Sequence, residues 1–346
     1  MKDRATEVRQ QASAVRRAAQ SADDATLRQA ASTLDRTADG HEKRAASMTE
    51  IPDLSGASVS QVRATRRRRA VRINELVYLP SWRESAFGLP NALLRSALFS
   101  VAKLDGDERR AAVFDLPIYA QGDVVLKLTG LRLIDYDRQV LAAVLSAYRD
   151  FPLSQDAESG WVRLSFWQFA GLMGLSYGLK VHLAIRESLV RLNAAHLRLR
   201  VNRRDVPLPR LVEVAFDDGY EELATDPRKL KGSDLIALRV PEGMAELFGP
   251  ACWTAVPAVA FTENAGLVRW LTGFFSTHSG PYPLEINDLY DLSGSDCGLR
   301  EFRRRLKNAL AKLEEPGTPD EVRVAASVFN KKADTIEVFL ERWNQA

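Results

Sequence analysis

From about Leu76 onward, apolar residues recur at the spacings that strands and amphipathic helices require. Residues 123–133 alternate between apolar and polar positions, and Gly130 among them is expected to form a kink or turn. Residues 135–151 instead place their apolar side chains on one helical stripe. We therefore predict a strand followed by a helix, with Asp135 as the N-terminal cap of the helix.

Further along the chain, the pattern predicts a short strand, two helices separated by a glycine, and a pair of strands. The short strand covers residues 161–164, the helices 165–174 and 177–193, and the paired strands 197–201 and 211–216, with a basic loop at 202–210 between them. Ser165 is expected to cap the first of these helices, and Gly174 to end it.

The second half of the chain repeats this order of elements. The predicted elements are a helix at 264–278, an extended piece at 282–284, helices at 285–292 and 298–315, and a hairpin of strands 322–328 and 335–340. Residues 164–178 align with 284–298 without gaps. The matched pairs are Leu164 and Leu284, Phe166 and Ile286, Phe169 and Leu289, Leu172 and Leu292, Gly174 and Gly294, and Gly178 and Gly298.

Each repeat has a helix, a strand, two helices around a glycine turn and a β-hairpin, which is the order of a winged helix. We therefore expect an α+β fold with two tandem winged-helix domains, residues 76–240 and 241–346. Residues 1–75 are expected to form a helical N-terminal arm, a linker and a basic arginine run. Up to about residue 48 large apolar side chains are too sparse for a core, and residues 51–61 contain the proline, glycine and serines of a linker. The alternative is two unrelated helix pairs that share a turn.

The net charge of +3 is small, but the basic residues are clustered along the chain. Residues 61–72 contain six arginines and no acid, and residues 300–307 contain five basic residues against Glu301 alone. Such clusters are typical of proteins with a polyanionic partner, although a solvated surface gives the same pattern.

In the second repeat, Leu299, Phe302 and Leu306 begin an apolar spine at helical spacing, so polar residues should occupy the opposite face. A cationic helix face can enter the major groove of DNA, where arginine binds guanine or phosphate. The alternative is a salt-bridged surface helix. The candidate DNA-binding residues here are Arg300, Arg303, Arg304, Lys307 and Asn308, with Lys331 and Lys332 at the hairpin tip.

In the first repeat, Val181, Ile185 and Leu189 should face inward, and three cations should point outward or flank that face. Leu183 and Val190 are also expected outside, so this helix could contact protein as well as DNA. The candidate DNA-binding residues are Ser176, Tyr177, Lys180, Arg186 and Arg191, with Arg203 and Arg204 at the other wing.

The sequence speaks against an enzyme, and no catalytic residue, cofactor or metal site is expected. It contains no GxxxxGK phosphate loop, and its two cysteines and four histidines lack the spacing of a zinc site. No apolar run has membrane-spanning length, and the N-terminus has no hydrophobic signal core. We therefore expect a cytoplasmic protein without a membrane partner.

Three stretches resemble the TrfA family of plasmid replication initiators: LPNALLRSALFSV at 89–101, LTGLRL at 128–133, and FSTHSGPYPLEINDLYDLSGSD at 275–296. The resemblance spans about residues 76 to 315. It implies tandem winged helices that bind iterons, the direct repeats of a plasmid origin, in double-stranded DNA. It also implies origin opening with a host initiator ATPase, recruitment of the replicative helicase, and a monomer that is active at the origin, with a dimer that is inactive or pairs origins and so controls plasmid copy number.

The chain departs from the family where relatives carry a glutamine-leucine-rich motif for the sliding clamp. Leu76, Val77, Tyr78 and Leu79 occupy that place, and the glutamine is missing. We therefore expect a buried strand there in preference to a clamp contact. Two other functions remain open on the sequence: a winged-helix transcriptional repressor without replication activity, and a protein–protein scaffold that uses the N-terminal arm.

Overall fold

The computed structural model describes residues 70–73, 76–104, 111–153, 160–201, 204–206, 210–217, 229–249, 252–262 and 266–341. The expected N-terminal arm and linker, and most of the arginine run, lie outside these residues. Within the described part of the chain, no helix is long and apolar enough to cross a lipid bilayer.

The first described elements are five strands and a short helix that belong to the first of two hydrophobic cores. These elements are β1 (Val71–Ile73), β2 (Leu76–Tyr78), β3 (Ala86–Pro90), α1 (Asn91–Leu94), β4 (Ala112–Ile118) and β5 (Val124–Leu131). The strand predicted at 123–133 is confirmed as β5, and Gly130 in it has a φ of 132°. Val77 and Leu79 are buried in the first core, as expected for a strand in place of a clamp contact.

The first copy of the repeated module follows, together with two strands inserted into it. Its elements are α2 (Asp135–Ala147), β6 (Val162–Ser165), α3 (Phe166–Leu172), α4 (Leu179–Ala194), β7 (His196–Val201), β8 (Arg204–Val206), β9 (Glu213–Asp217) and β10 (Leu235–Arg239). Strands β6, β10 and β9 form an antiparallel sheet in that order. At its centre, Ile236 lies opposite both Leu164 and Phe216.

The second copy has the same arrangement. After β11 (Trp253–Pro257) come α5 (Gly266–Ser276), β12 (Leu284–Glu285), α6 (Ile286–Ser293), α7 (Leu299–Leu313), β13 (Val324–Asn330) and β14 (Thr335–Leu340). Strands β12, β14 and β13 form a sheet in that order, and Ile336 lies opposite both Leu284 and Phe329. The internal repeat predicted from the sequence is therefore present in the structure. The two copies share the order of their elements, the order of strands in the sheet, and the residue pairing of the middle strand with both neighbours.

The turn between the two helices that follow the short strand is built alike in both copies. Gly174 follows α3 with a φ of 70°, and Gly294 follows α6 with a φ of 59°. These left-handed conformations favour glycine, because a side chain at positive φ is strained. Ser165 caps α3 as predicted, since its hydroxyl accepts a hydrogen bond from the Gln168 N–H at 3.2 Å.

The predicted strand pairing within the first copy is wrong. Strand β7 pairs with β5 and β8 in a four-stranded sheet of order β4-β5-β7-β8, whereas β9 pairs with β10. Both predicted strands exist, but alternation of apolar residues identifies a strand without identifying its partner. As a consequence, the hairpin of the first copy is formed by β9 and β10, and Arg204 lies in β8, away from that hairpin.

The predicted cap of α2 is also wrong by two residues. The carboxylate of Asp137 accepts the hydrogen bond from the Ile134 N–H at 2.8 Å. Asp135 is buried and forms an ion pair with Arg138 at 2.6 Å, and a second one with Arg269 of α5. Its charge is therefore used to join α2 to α5, not to cap α2.

Two hydrophobic cores organise the described residues. The first runs from Val77 to Phe261 and includes Val322, and the second covers residues 268–340. Strand β11 pairs with β3, so the first core takes in residues beyond the predicted division between 240 and 241. The segment after α1 contacts the second copy: Arg95 donates to the Thr277 hydroxyl at 2.7 Å, and the Val101 N–H donates to the Ser293 carbonyl at 2.9 Å.

Candidate nucleic-acid interface

Helix α7 presents the main cationic surface in the described part of the chain. Its spine packs into the second core through Phe302, Leu306, Leu310 and Leu313, all buried. The residues on the other side are exposed: Arg300, Arg304, Lys307 and Asn308. The helical spacing in the sequence predicted this division, because residues three and four apart share a face.

Several cations of α7 are held by neighbouring groups. Arg303 is half-buried and forms an ion pair with Asp334 of the hairpin, at 2.6 Å. Arg304 and Arg305 both bind Glu301, at 2.6 and 3.0 Å. These hydrogen bonds from two guanidinium groups lower the pKa of Glu301 to about 2. Arg300 has no carboxylate partner among the described residues, so its charge is the most available to an anionic ligand.

The hairpin between β13 and β14 places two lysines beside α7. Its tip is closed by Asn330, whose side-chain oxygen accepts hydrogen bonds from the backbone N–H groups of Lys332 at 3.1 Å and Ala333 at 3.2 Å. Lys331 and Lys332 are exposed there. The Arg303–Asp334 ion pair ties the hairpin that carries the two lysines to α7.

The first copy offers a weaker basic surface around α4. Ser176 and Lys180 are exposed, and Tyr177 is half-buried with its hydroxyl 3.1 Å from Nδ1 of His182. Arg186 is half-buried and lies over the ring of Phe216 on β9, at 4.5 Å. Lys307 of the second copy lies over Phe329 in the same way, at 5.2 Å. In both copies, a cation of the third helix thus packs on an aromatic residue near the end of the first hairpin strand.

Arg191 is not part of this surface, and our expectation that it points outward or flanks the inner face is wrong. Its side chain is 4% exposed and binds the buried carboxylate of Asp137 on α2 at 2.8 Å. Burial alone would lower the pKa of Arg191, but the hydrogen bonds and charge of Asp137 and Glu187 raise it. Helix α4 packs against α2, so its buried arc is wider than the single apolar stripe that the sequence shows.

Of the two remaining predicted wing residues, only Arg204 is described, and it does not lie beside α4. Arg203 lies outside the described residues, and Arg204 begins β8 of the four-stranded sheet. The loop between β9 and β10, which would be the tip of the first hairpin, includes residues 218–228, which are also outside the described range. Sequence reasoning missed the role of Glu301, although its spacing of three and four residues from Arg304 and Arg305 is the signal for such pairs.

Comparison with known proteins identifies the family. The family model described as "TrfA protein" matches residues 57–332, most of the chain. The chain belongs to the TrfA family. A curated relative of this TrfA-family protein is the plasmid replication initiator protein TrfA of Escherichia coli, which is 23% identical over 238 residues. That alignment covers 68% of this chain and 59% of the relative, so the chain spans less than two thirds of the relative's length.

Two solved structures of RctB domains 2 and 3 are similar to the TrfA-family protein at low sequence identity. The selenomethionine derivative has a TM-score of 0.45 and 13% identity, and covers 71% of this chain and 95% of that one. The RctB 155–483 structure has a TM-score of 0.44 and 14% identity, and covers 70% of this chain and 93% of that one.

Proposed function

We propose that this protein is a plasmid replication initiator that binds the iterons of an origin in double-stranded DNA. The observation that carries the proposal is the exposed face of α7, where Arg300, Arg304, Lys307 and Asn308 stand opposite a buried spine. A helix of this kind fits the major groove, where arginine grips guanine and asparagine grips adenine. Membership of the TrfA family makes replication initiation the context of that binding.

The two copies act as tandem winged helices in this proposal. Each has a short strand, two helices around a left-handed glycine, and a hairpin whose last strand pairs with the short strand. Helices α4 and α7 are the proposed reading helices. Lys331 and Lys332 would contact phosphate beside α7, because the hairpin that carries them is tied to that helix.

The activities beyond DNA binding follow from the family and belong to the proposal. They are opening of the origin with a host initiator ATPase, recruitment of the replicative helicase, and self-association as a dimer. We propose that the protein takes part in them without enzymatic activity or a cofactor of its own. A sliding-clamp contact at residues 76–79 is not included, because Val77 and Leu79 are core residues.

Footprinting of the DNA that flanks the coding region tests the proposal. Protection that repeats about every 22 base pairs, roughly two turns of B-DNA, is the result expected for iterons. The double variant Arg300→Ala/Arg304→Ala should lose the protection. Arg132→Ala, which removes an exposed arginine outside both reading helices, should keep it.

A second measurement separates an initiator from a transcriptional repressor that uses the same modules. An initiator should make a flanking AT-rich region of a supercoiled plasmid reactive to permanganate when the host initiator ATPase is added. Protection of a single operator without any such reactivity would support the repressor and contradict the proposed function.

A further inference from the structure

Glu301 occupies a central place on the proposed reading helix. It is the third residue of α7, in the first turn, and its side chain is 37% exposed. One carboxylate oxygen accepts from Nη2 of Arg304 at 2.6 Å, and the other accepts from Nε at 2.9 Å. Nε of Arg305 donates to the same carboxylate at 3.0 Å. A single acid therefore fixes two guanidinium groups on the exposed side of the helix.

Stability does not account for this arrangement. Ion pairs between exposed side chains contribute little to folding, because water screens them and ordering long side chains costs entropy. Hydrogen bonds from the two arginines keep the pKa of Glu301 near 2, so the carboxylate stays ionised at any pH used for binding. The consequence is geometric: the ion pairs bias two flexible cations toward one arrangement before any ligand arrives.

Defined positions matter differently for the two modes of DNA contact. A bidentate arginine–guanine contact needs one orientation of the guanidinium group, so ordering it in advance lowers the entropy lost on binding. Contact with phosphate needs only a nearby positive charge. A carboxylate beside the two arginines also repels phosphate and weakens binding to every sequence alike. Glu301 therefore favours base contacts at the expense of backbone contacts.

The two copies differ at this position. The gap-free alignment that pairs Gly178 with Gly298 places Val181 opposite Glu301, and Ala184 and Ile185 opposite Arg304 and Arg305. Helix α4 thus has no carboxylate–arginine cluster in its first turns, and Glu187, further along, pairs with the buried Arg191. The orienting acid belongs to the second copy alone.

We infer that Glu301 is a positioning residue for sequence-specific DNA binding: it orients Arg304 and Arg305 toward base edges and suppresses binding to DNA of other sequences. The second copy is accordingly the more discriminating of the two. This inference rests on the proposed DNA-binding function.

The test compares affinity for two duplexes of equal length, measured for the full chain over a range of salt concentrations. One is the duplex that the wild-type protein enriches from a randomised pool, and the other is a scrambled version of it. In Glu301→Gln, the ratio of the two affinities should fall by about tenfold, mainly because binding to the scrambled duplex tightens. The slope of log affinity against log salt should become steeper by the contribution of about one phosphate contact.

Two control variants separate positioning from loss of charge. Glu315→Gln removes one negative charge from an exposed residue just beyond α7, and it should leave the ratio unchanged. Glu301→Asp keeps the charge but withdraws the carboxylate by one methylene, so it should lower the ratio as Glu301→Gln does. Circular dichroism and the unfolding midpoint of each variant should match the wild type, because Glu301 is outside the core.

The outcomes are distinct. A wild-type protein that enriches no sequence from the pool contradicts the proposed function itself. A wild type that does select a sequence, with an unchanged ratio in Glu301→Gln, overturns the role of Glu301 and leaves the proposed function standing. A Glu301→Asp variant indistinguishable from the wild type would show that the local charge acts without orientation, which overturns positioning.

Discussion

Arg191 and Asp137 form an ion pair inside the protein, with 2.8 Å between Nη2 and Oδ1. The Ser188 hydroxyl donates to the same carboxylate at 2.6 Å, and the Ile134 N–H donates to its other oxygen at 2.8 Å. The carboxylate thus ties α4 to α2 and also caps α2. An arginine that the sequence offered as a ligand for DNA is a structural residue.

Removing one partner of this pair should destabilise the protein strongly. Arg191→Ala leaves an uncompensated carboxylate in the core, and we expect a loss of about 3–5 kcal/mol in the free energy of unfolding. Urea denaturation followed by circular dichroism measures it. Lys180→Ala, on the exposed side of the same helix, should change this free energy by less than about 0.5 kcal/mol.

A double replacement separates structure from DNA contact. Asp137→Leu/Arg191→Met removes both charges and fills the space with apolar groups, which is often close to neutral for stability. We expect this variant to recover part of the lost stability, because the Ile134 N–H and the Ser188 hydroxyl lose their acceptor, and to bind DNA like the wild type. Weak DNA binding by a stable double variant would return Arg191 to the interface.

The exposed arginines of α7 should carry sequence-specific affinity. Arg300→Ala and Arg304→Ala are each expected to weaken binding to the selected duplex. The expected loss of binding free energy is about 1–3 kcal/mol per lost base contact. Gel-shift titration at constant salt gives the value, with Arg132→Ala as the control of equal charge. If the affinity is unchanged in both variants, α7 does not read the bases.

The lysines at the hairpin tip should contribute charge and little sequence preference. Lys331→Ala/Lys332→Ala is expected to weaken binding to selected and scrambled duplexes by similar factors. The slope of log affinity against log salt should become less steep by the contribution of about two phosphate contacts. A change confined to the selected duplex would assign these lysines to base contact.

The contact between α2 and α5, which we call the joint between the two copies, should lose stability when one methyl group is added at Gly273. A Cβ at Gly273 of α5 would lie 2.3 Å from Nη1 of Arg138, which is fully buried and ion-paired with Asp135 and so cannot move aside easily. Gly273→Ala should therefore lower the free energy of unfolding by about 1–3 kcal/mol. In an unobstructed helix the same change would raise it by about 1 kcal/mol.

Gly280→Ala is the matched control for the joint. A Cβ at Gly280, in the loop after α5, would meet no atom within 4 Å. We expect its unfolding midpoint in urea to stay close to that of the wild type. Equal midpoints for the two alanine variants would show that Arg138 relaxes without cost and that the joint tolerates the methyl group.

The sequence predicted local structure better than contacts between distant segments. The repeated order of elements, the Ser165 cap and the glycine turns follow from periodicity and backbone preference, which act over a few residues. The partner of β7 depends on which strand lies beside it after folding, and no local pattern encodes that. The joint between α2 and α5 escaped notice for the same reason, because Asp135 and Arg269 are far apart along the chain.

In the candidate interface, too, placements that depend on a single helix were predicted correctly, and placements that depend on contacts with other elements were not. Arg300, Arg304 and Asn308 were predicted on the exposed face of α7 because one helix determines that face. Arg191 was misplaced because α4 is covered by α2 in addition to the sheet. Arg303 was predicted as a DNA-binding candidate, whereas Asp334 of the hairpin binds it, an ion pair that exists only once the hairpin has folded against α7.

The strand order of the two three-stranded sheets has a consequence for synthesis of the chain. In each copy the short strand that precedes the two helices pairs with the last strand of the hairpin, β6 with β10 and β12 with β14. Neither sheet can close until its final strand has left the ribosome. A nascent chain halted before Thr335 would hold the complete α7, with all its arginines, on a module whose β12 has no neighbour.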